Sequence, residues 1–359
     1  MKKIYYIAVV FAILFLAGCG DGIDLPGVNV ETDLNKIPLP DNNVNLEQVE
    51  LKPSTEPMLH EGLHTEEDFQ RIRDKKAAGE EPWVSAYQLL VESQFSQKTA
   101  DTYPTELIKR GISGDENYMN AARGATIVYQ QALRWKIEQD NEYAAKAVEN
   151  LNKWVQTCVG VTGNTNLSLA AGLYGYEFAI AGELLRDYGG WDRADFAAFQ
   201  NWLLKVFYPA NDDFLKRHHD TNALHYWANW CLCNIAAKMA IGIVTDRRDI
   251  YNEGIAHLQT GDTNGRLRRA IYHDYAPDYN FAQWQESGRD QGHTLMCVGL
   301  MGVICQLAWS QGDDFFAYDD NLFLRACEYA ACCNYTNETV PYTTYIWQKQ
   351  SQWGYPIPE

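Results

Sequence analysis

An arginine and a histidine lie four residues apart in the segment 286–293, Glu-Ser-Gly-Arg-Asp-Gln-Gly-His. Ser287 and Asp290 have the spacing of a capping box, which predicts that a helix begins at Gly288. Such a helix carries Arg289 and His293 on one face. The free N–H groups of a helix N-terminus bind anions, and an arginine can hold a carboxylate with two hydrogen bonds. This spacing favours a carboxylate-binding site. The alternative is that the arginine pairs with a neighbouring carboxylate and the histidine makes a core contact.

A second polar cluster lies at the start of a long apolar stretch. Either Thr221 or Asn222 can cap a helix that extends over 222–244. On such a helix His225 and Asn229 share one stripe, polar at first and apolar further along, which is typical of a helix whose first turns line a cleft. The candidate catalytic residues of this cluster are Asn222, His225, Tyr226 and Asn229. The alternative is a hydrogen-bonded, half-buried histidine beside a core aromatic residue.

Further candidates lie in loops and near helix starts. Tyr279 is the candidate acid or base among the 22 tyrosines, because it lies in a loop shortly before Arg289. The candidate substrate-binding residues are Arg110, Tyr118, Asn120, Arg123, Asn166, Tyr174, Tyr176, Trp284, Gln285 and Glu286. For these residues the alternative role is ordinary packing and helix capping.

The histidine and cysteine patterns do not predict a metal site. His218 and His219 precede an aspartate, but the sequence has no His-Glu-x-x-His motif and no other spacing diagnostic of zinc ligands. We therefore expect no metal and no other cofactor. The eight cysteines other than Cys19 lie mostly among apolar residues, so we expect small buried side chains rather than a disulfide framework, with one or two bridges as the alternative.

The elements that position these residues are predicted to be helices almost throughout. Beyond residue 60, apolar residues recur with a period of about 3.6, and the alternation typical of strands is nearly absent. Helices are predicted at 65–78, 83–95, 117–138, 142–158, 167–187, 193–207, 222–244, 248–259, 288–311 and 319–334. Their short connections make antiparallel hairpins, and the lack of a fixed-length repeat weighs against a regular solenoid. We therefore predict an all-α fold of the (α/α) toroid type, an incomplete barrel of helical hairpins.

The composition limits the class of partner. The 359 residues include 30 Lys and Arg against 47 Asp and Glu, a net charge of −17, which argues against a nucleic-acid partner. A hydrophobic content of 46% is enough for a sizeable core, and 13% aromatic residues favour a carbohydrate ligand. An anion site on such a chain must be local. We therefore predict that one cleft gathers Arg110, Arg123, Arg289 and His293.

The first 19 residues resemble the signal peptide of a bacterial lipoprotein. Two lysines precede an apolar run that ends in Leu-Ala-Gly-Cys, which resembles a lipobox. The run is shorter than the roughly 18–20 apolar residues of a membrane-spanning helix. We predict a signal peptide at 1–19, lipidation of Cys19, a flexible tether at 20–57 and one domain at 58–359. The protein is expected to be a monomeric cell-envelope lipoprotein of the outer membrane, periplasmic or surface-facing, that touches the membrane only through its lipid.

Five motifs resemble the alginate-lyase-like family of exported bacterial proteins. They are Gly-Leu-His-Thr-Glu-Glu-Asp-Phe-Gln-Arg-Ile-Arg at 62–73, Gln-Ala-Leu-Arg-Trp-Lys-Ile at 131–137, Ala-Gly-Leu-Tyr-Gly-Tyr-Glu at 171–177, Tyr-Trp-Ala-Asn-Trp at 226–230 and Gln-Glu-Ser-Gly-Arg-Asp-Gln-Gly-His at 285–293. The resemblance extends from about residue 60 to about residue 340, and the last motif is the most specific. It implies an (α/α) toroid and cleavage of an acidic polysaccharide, alginate or a related polyuronate, by β-elimination.

The resemblance also implies the roles of the site residues. In β-elimination the proton at C5 of the uronate becomes acidic once hydrogen-bond donors neutralise the neighbouring carboxylate. Asn, Arg or protonated His side chains are such donors, and here Asn222 or Asn229 would act with Arg289. A tyrosine or histidine removes the proton, and an acid, often a tyrosine, protonates the leaving O4. This chemistry requires neither a metal nor a pair of catalytic carboxylates.

The sequence departs from the family pattern at one place. Well-studied alginate lyases of this toroid carry an Asn-His pair followed shortly by Tyr-Trp, whereas Ala223–Leu224 occupies the corresponding place before His225. This departure, together with a chain that stops at Glu359, leaves open a catalytically degenerate glycan-binding lipoprotein. A glycoside hydrolase on the same toroid is the third alternative, with carboxylates such as Glu177 and Glu286.

Overall fold

The computed structural model of the chain describes residues 55–335 and 340–343. The predictions of a signal peptide, of lipidation at Cys19 and of a tether up to residue 54 concern residues outside the described part and stay predictions. The monomeric state also stays a prediction. All candidate catalytic and substrate-binding residues lie within the described part.

The described residues form helices joined by short connections and two small sheets. The helices are α1 (Glu66–Ala77), α2 (Trp83–Glu92), α3 (Tyr118–Glu138), α4 (Asn141–Thr157), α5 (Leu167–Leu185), α6 (Arg193–Val206), α7 (Tyr208–Arg217), α8 (Ala228–Val244), α9 (Arg248–Thr260), α10 (Leu267–Ala270), α11 (Gln291–Ser310) and α12 (Tyr318–Tyr335). The strands are β1 (Leu107–Arg110), β2 (Gly160–Gly163), β3 (Ile271–Asp274) and β4 (Ala282–Trp284). Each predicted helix is present, which confirms the predicted all-α class.

Helix α7 and the single turn α10 are not predicted by the sequence pattern. Helix α7 follows α6 after Phe207 alone, and Pro209 stands in its first turn. Proline suits a helix start because its φ is fixed near the helical value. A proline soon after a helical stretch also marks the end of a helix, so the sequence alone does not show that Pro209 belongs to the start of a new one.

The start of α8 differs from the prediction. The helix begins at Ala228 rather than at residue 222, with Trp227 as its N-cap. The residues before it form turns, held by Asn264, whose side-chain amide donates to the carbonyl oxygens of Leu224 at 3.1 Å and Tyr226 at 2.9 Å. Because Asn264 lies in a loop remote in sequence, capping signals near residue 222 cannot reveal this arrangement.

The start of α11 also differs from the prediction of a helix from Gly288. Asp290, in extended backbone conformation, is the N-cap, and its Oδ1 accepts a hydrogen bond from the backbone N–H of His293 at 2.8 Å. The predicted cap Ser287 lies in a 3₁₀ turn, where its hydroxyl donates to a backbone carbonyl oxygen at 2.7 Å. Arg289 therefore lies just before the helix cap rather than in the first turn.

The helices form two layers. Helices α3, α5, α8 and α11 pack side by side as an inner row, while α4, α6 with α7, α9 and α12 pass along the outside. Every residue of α8 except Trp230 is buried. Among the described residues α11 has the length and apolar composition of a membrane-spanning helix, but more than half of it is buried within the protein. This double layer of helical hairpins is the arrangement predicted as an (α/α) toroid.

The inner helices run in the same direction, so their N-termini share one end. Near that end the ring of Tyr118 at the start of α3 stacks on Tyr174 of α5, with 6.5 Å between centroids. At the C-terminal end the chain before α1 crosses the helices, and the N–H of Leu59 donates to Oε1 of Gln311 at 2.8 Å. The predicted site residues 225–229 and 289–293 lie at the N-terminal end.

The two small sheets fix loops at this N-terminal end. Strands β1 and β2 pair in parallel, with Arg110 opposite Gly163. Asn117, just before α3, accepts a hydrogen bond from the N–H of Lys109 at 2.7 Å and so holds β1 at the helix start. Strands β3 and β4 form an antiparallel hairpin whose second strand leads into the 3₁₀ turn before Arg289.

None of the eight cysteines between residues 158 and 333 forms a disulfide bond. All of them are buried except Cys327 and Cys332, which are partly exposed. The expectation of small buried side chains rather than a disulfide framework is therefore confirmed for this part of the chain.

Close packing of α8 against α9 depends on Gly242. A Cβ at this position would lie 2.6 Å from the backbone N and 2.9 Å from the Cα of Tyr251, so a side chain there would push the two helices apart. We expect Gly242→Ala to lower the free energy of unfolding in urea by about 1–3 kcal/mol. Gly189→Ala is the matched control because a Cβ there meets no atom within 4 Å. Equal stabilities of the two variants would contradict the packing argument.

Candidate active site

The N-terminal end of the inner helices is suited to an anion. Each helix start leaves N–H groups without intrahelical partners, and the aligned peptide dipoles place about half a unit of positive charge there. The starts of α3, α5, α8 and α11 lie at this end, and Arg110 and Arg289 precede α3 and α11. A local anion site is therefore compatible with the net charge of −17.

A buried carboxylate, Glu286, joins the starts of α8 and α11. Its side chain has no solvent exposure. Its Oε1 accepts a hydrogen bond from the backbone N–H of Asn229 at 3.0 Å, and its Oε2 accepts one from Nη1 of Arg289 at 3.3 Å. The thiol of Cys297 on α11 donates to Oε1 at 3.8 Å. Burial raises the pKa of Glu286, and Arg289, His293 and the Asn229 N–H oppose this shift.

Arg289 is held on several sides, yet part of its guanidinium remains accessible. The guanidinium carbon lies 5.3 Å from the centre of the Trp227 ring, a cation–π contact. Its Nε lies 3.9 Å from Oδ2 of Asp290, in addition to the pairing with Glu286. The side chain is still 22% exposed, so the remaining donors can bind a carboxylate of a ligand. The structural pairing expected as an alternative is present without excluding the binding role.

Asp290 orients His293. Nδ1 of the imidazole lies 2.6 Å from Oδ2 of Asp290, whose other oxygen caps α11. This contact makes Nδ1 the donor, and Nε2 is then the ring atom available to a ligand. Burial alone would raise the pKa of Asp290, but the hydrogen bonds from the ring and the backbone N–H of His293 hold it below its usual value. The imidazole is 23% exposed, so a proton-transfer group lies beside the guanidinium.

Asn229 carries an amide with an unsatisfied atom. The residue is 2% exposed, and its Oδ1 is buried without a hydrogen-bond partner in the described part of the chain. An unpaired buried polar atom destabilises the folded state by about 1–3 kcal/mol, so this acceptor calls for an explanation such as a ligand hydroxyl that donates to it. The same residue binds Glu286 through its N–H. Asn229 and Arg289 are therefore linked by one carboxylate.

The turn before α8 holds the remaining candidates of the second cluster. The Tyr226 ring lies 4.7 Å from the Trp230 ring, and its hydroxyl bonds to the side chain of Thr165. Burial raises the pKa of Tyr226 and lowers the pKa of His225. Asn222 stabilises the turn, where its Oδ1 accepts a hydrogen bond from the backbone N–H of Leu224 at 2.8 Å. The predicted polar stripe on one helix face is wrong because His225 precedes the helix.

His218 and His219 have different partners. Nε2 of His218 lies 3.4 Å from Sγ of Cys231, whereas Nε2 of His219 lies 3.0 Å from Oγ of Ser168. Across residues 55–335 and 340–343, no group of three or more His, Cys, Asp or Glu side chains is placed to hold a metal ion.

A second group of candidates surrounds the starts of α3 and α5. The guanidinium carbon of Arg110 lies 4.7 Å from the centre of the Tyr118 ring, which stacks on Tyr174. Asn166 at the start of α5 is partly exposed, and its amide donates to Oδ1 of Asn164 at 2.9 Å. These contacts place aromatic faces and polar groups at the same end of the toroid as Arg289.

The first turns of α3 carry the last two candidates. Asn120 is partly exposed, and Arg123 is exposed. The structure brings Arg289 and His293 together, and the wider cluster with Arg110 and Arg123 stays a prediction.

Six predicted substrate-binding residues are buried: Arg110 and Tyr174 in the group described above, and four more that are packed inside the protein. Trp284 has no solvent exposure, and its Nε1 donates to a backbone carbonyl oxygen at 3.0 Å. Gln285 is buried and accepts the N–H of Ala228 at 2.9 Å. Glu286 and Tyr176 are also buried. Strand β4 and the turn after it direct Trp284, Gln285 and Glu286 into the core, and the hydroxyl of Tyr176 bonds to the side chain of Glu177 within it, which argues against direct contact of these residues with a polysaccharide.

Tyr279 lies at the tip of the β3–β4 hairpin. Its side chain is 50% exposed and stacks on Phe281, with 6.4 Å between ring centroids. The opposite end of the hairpin, where Ile271 pairs with Trp284, leads towards Arg289. The hairpin therefore separates Tyr279 from Arg289, which argues against its predicted role as acid or base.

Two residues that shape the site have no counterpart among the sequence predictions. Trp227 supports Arg289, and Asp290 orients His293. The Asp-x-x-His spacing of 290–293 is a local signal for the second contact, since residues three apart meet on a helix. No local signal exists for the first, because it joins segments that are distant in sequence.

Comparison with known proteins agrees with this architecture. The profile of the family described as alginate lyase matches residues 73–338. A variant of alginate lyase A1-III complexed with a tetrasaccharide has a TM-score of 0.59 and 14% identity, over 76% of this chain and 78% of that chain. Alginate lyase A1-III from Sphingomonas species A1 has a TM-score of 0.55 and 13% identity, over 77% of this chain and 79% of that chain. No curated protein matches the sequence significantly.

At such low identities the structural likeness shows the fold, and it confirms the (α/α) toroid. The family profile matches residues 73–338, well over half of the 359 residues, and includes the segments around Asn229, Arg289 and His293. The motifs, the two-layered helical architecture and the profile agree, and the chain belongs to the alginate lyase family.

Proposed function

We propose that this protein is a polysaccharide lyase that cleaves a uronate-containing polysaccharide, alginate or a related polyuronate, by β-elimination. The observation that carries the proposal is the linked set Asn229–Glu286–Arg289 beside the Asp290–His293 pair. This set combines donors for a carboxylate with a proton-transfer group, and β-elimination needs both. Family membership and the tetrasaccharide complex of alginate lyase A1-III support a polysaccharide substrate.

Arg289 and Asn229 bind the uronate carboxylate in this mechanism. The exposed donors of Arg289 form a bidentate contact, and Nδ2 of the Asn229 amide donates a further hydrogen bond, while its Oδ1 can accept one from a sugar hydroxyl. Negative charge spreads onto the carboxylate as the C5 proton leaves. Donors that are already in place therefore stabilise the transition state more than the ground state. Trp227 beneath the guanidinium keeps its plane fixed.

His293 removes the C5 proton, and Tyr226 is the candidate donor to O4. Because Asp290 engages Nδ1, Nε2 of His293 is free to accept the proton. The raised pKa of Tyr226 keeps its hydroxyl protonated, as an acid requires. The C5–H and C4–O4 bonds break, a C4–C5 double bond forms, and O4 leaves as a hydroxyl.

The alternative of a glycoside hydrolase has less support. Such an enzyme needs two carboxyl groups that flank the scissile bond. Burial raises the pKa of Glu177 to about 8, so this carboxyl is protonated at neutral pH. Its candidate partner Glu286 is fully buried and already bonded to Arg289 and Asn229. Glu177 and Glu286 therefore do not form the accessible pair of carboxyl groups that a glycoside hydrolase needs.

A panel of uronate polymers tests the proposed function. We expect at least one polyuronate to yield 4,5-unsaturated ends, measured by the ultraviolet absorbance of the conjugated product. The same polymer with its carboxyl groups reduced is the control and should not be cleaved, because C5 is then no longer acidified. Binding without products would favour a degenerate glycan-binding protein. Reducing ends without the double bond would favour a hydrolase.

A further inference from the structure

We propose that Glu286 is a positioning residue that aligns Arg289 with the start of α8 for catalysis. The inference rests on the proposed lyase function and gives Glu286 a role other than contact with the substrate. Because its side chain has no solvent exposure, it can act only through its neighbours.

The groups bonded to the Glu286 carboxylate are donors. Oε1 receives the N–H of Asn229 and the thiol of Cys297, and Oε2 receives Nη1 of Arg289. An ionised carboxylate only accepts hydrogen bonds, so donors on both oxygens match the charged form. A buried charge is tolerated when it is paired in this way, and removal of one partner is strongly unfavourable.

Helix α8 is capped from another part of the chain. Its own N-cap residue, Trp227, makes no side-chain capping hydrogen bond. The N–H groups of Ala228 and Asn229 are bound instead by Gln285 and Glu286, at 2.9 and 3.0 Å. The turn that precedes Arg289 therefore fixes the start of α8. It also fixes the distance between the side-chain amide of Asn229 and the guanidinium of Arg289.

The buried charge also sets the balance between affinity and turnover. A negative charge behind Arg289 offsets part of its attraction for a polyanion while it holds the guanidinium in one orientation. Glu286→Gln removes the charge with little change of shape and retains an acceptor for the Asn229 N–H. The variant should bind a uronate more tightly and turn it over more slowly, since a shift of about 1 Å in a site can lower a rate about 100-fold.

Steady-state kinetics and calorimetry test the inference. On a polyuronate that the wild-type protein cleaves, we expect Glu286→Gln to lower kcat about 10–100-fold with a KM that is unchanged or lower. We expect calorimetry to show tighter binding of a saturated uronate tetramer. Glu183→Gln is the matched control: Glu183 is also buried and pairs with Arg186 three residues on, at the C-terminal end of the inner helices. It should lose comparable stability and keep the wild-type kcat.

Three results would overturn the positioning role. They are an unchanged kcat in Glu286→Gln, an equal fall of kcat in Glu183→Gln, and a fall of kcat joined to a raised KM and weaker tetramer binding. A wild-type protein that cleaves no polyuronate contradicts the lyase function itself. In that case the affinities for the uronate tetramer still test the role of Glu286. Tighter binding by Glu286→Gln supports the inference that its charge weakens the attraction of Arg289 for the uronate, and equal or absent binding overturns it.

Discussion

Arg289→Ala is expected to lower kcat/KM for a polyuronate about 10²–10³-fold, or by about 3–4 kcal/mol of transition-state stabilisation. The guanidinium is the partly exposed cation beside Asn229 and His293, so its loss removes donors from the carboxylate on which charge develops. Arg289→Lys should recover only part of the activity, because an ammonium group lacks the planar fork of donors. Initial rates of unsaturated product formation measure both variants.

Loss of stability must be separated from loss of catalysis in this experiment. Arg289→Ala leaves the buried Glu286 without its cationic partner, which destabilises the protein. A double variant with Glu286→Gln removes the unpaired charge, so it should regain stability in urea denaturation but not activity.

A second control uses the same type of contact, an arginine over an aromatic ring, at a position away from the candidate site. The guanidinium carbon of Arg248 lies 5.1 Å from the centre of the Tyr251 ring, at the C-terminal end of the inner helices. Arg248→Ala should therefore keep the activity of the wild-type protein. Wild-type activity in Arg289→Ala would contradict the assignment of the carboxylate site.

The helical fold could be predicted because each helix carries its own signal. Thr65 is the N-cap of α1, three acidic residues follow it in the first turn, and the structure shows the corresponding capping box. Helix α8 is apolar over nearly its whole length, which is typical of an inner helix buried on all sides. The start of α8 could not be predicted, because Gln285 and Glu286 cap it through contacts that are remote in sequence. The start of α11 is displaced from the prediction because Ser287 and Asp290 are both local capping candidates, and Asp290 is the one that caps the helix.

The composition of the site could be predicted better than its geometry. Arg289, His293 and Asn229 are polar residues at helix starts, and the structure places them near one another. Trp284 and Gln285 precede the arginine directly, so the sequence makes them look like substrate contacts. A three-residue strand gives too little pattern to show which side faces solvent, and here all three residues of β4 are buried.

His293→Ala is expected to lower kcat about 10²–10⁴-fold, the usual contribution of a positioned general base. The imidazole meets the geometric requirements for this role, because Asp290 fixes Nδ1 at 2.6 Å and the ring is partly exposed. Loss of the ring removes no cap from α11, since the capping bond uses only the backbone N–H of residue 293. Unfolding in urea should therefore be little changed. An equal rate in His293→Ala and the wild-type protein would exclude His293 as the base.

Asp290→Asn separates the positioning of the base from the stability of the helix. Asparagine caps helices as well as aspartate does, so α11 should remain intact, but the negative charge beside the imidazole is lost.

We therefore expect kcat/KM of Asp290→Asn to fall about 10–100-fold, because the ring is held less firmly. Asp192→Asn is the matched control, since Asp192 caps α6 through Oδ1 and the N–H of Ala194 at 2.7 Å, away from the site. A kcat/KM equal to that of the wild-type protein in Asp290→Asn would show that another group takes the C5 proton, and the partly exposed, neutral imidazole of His225 would then be the next candidate.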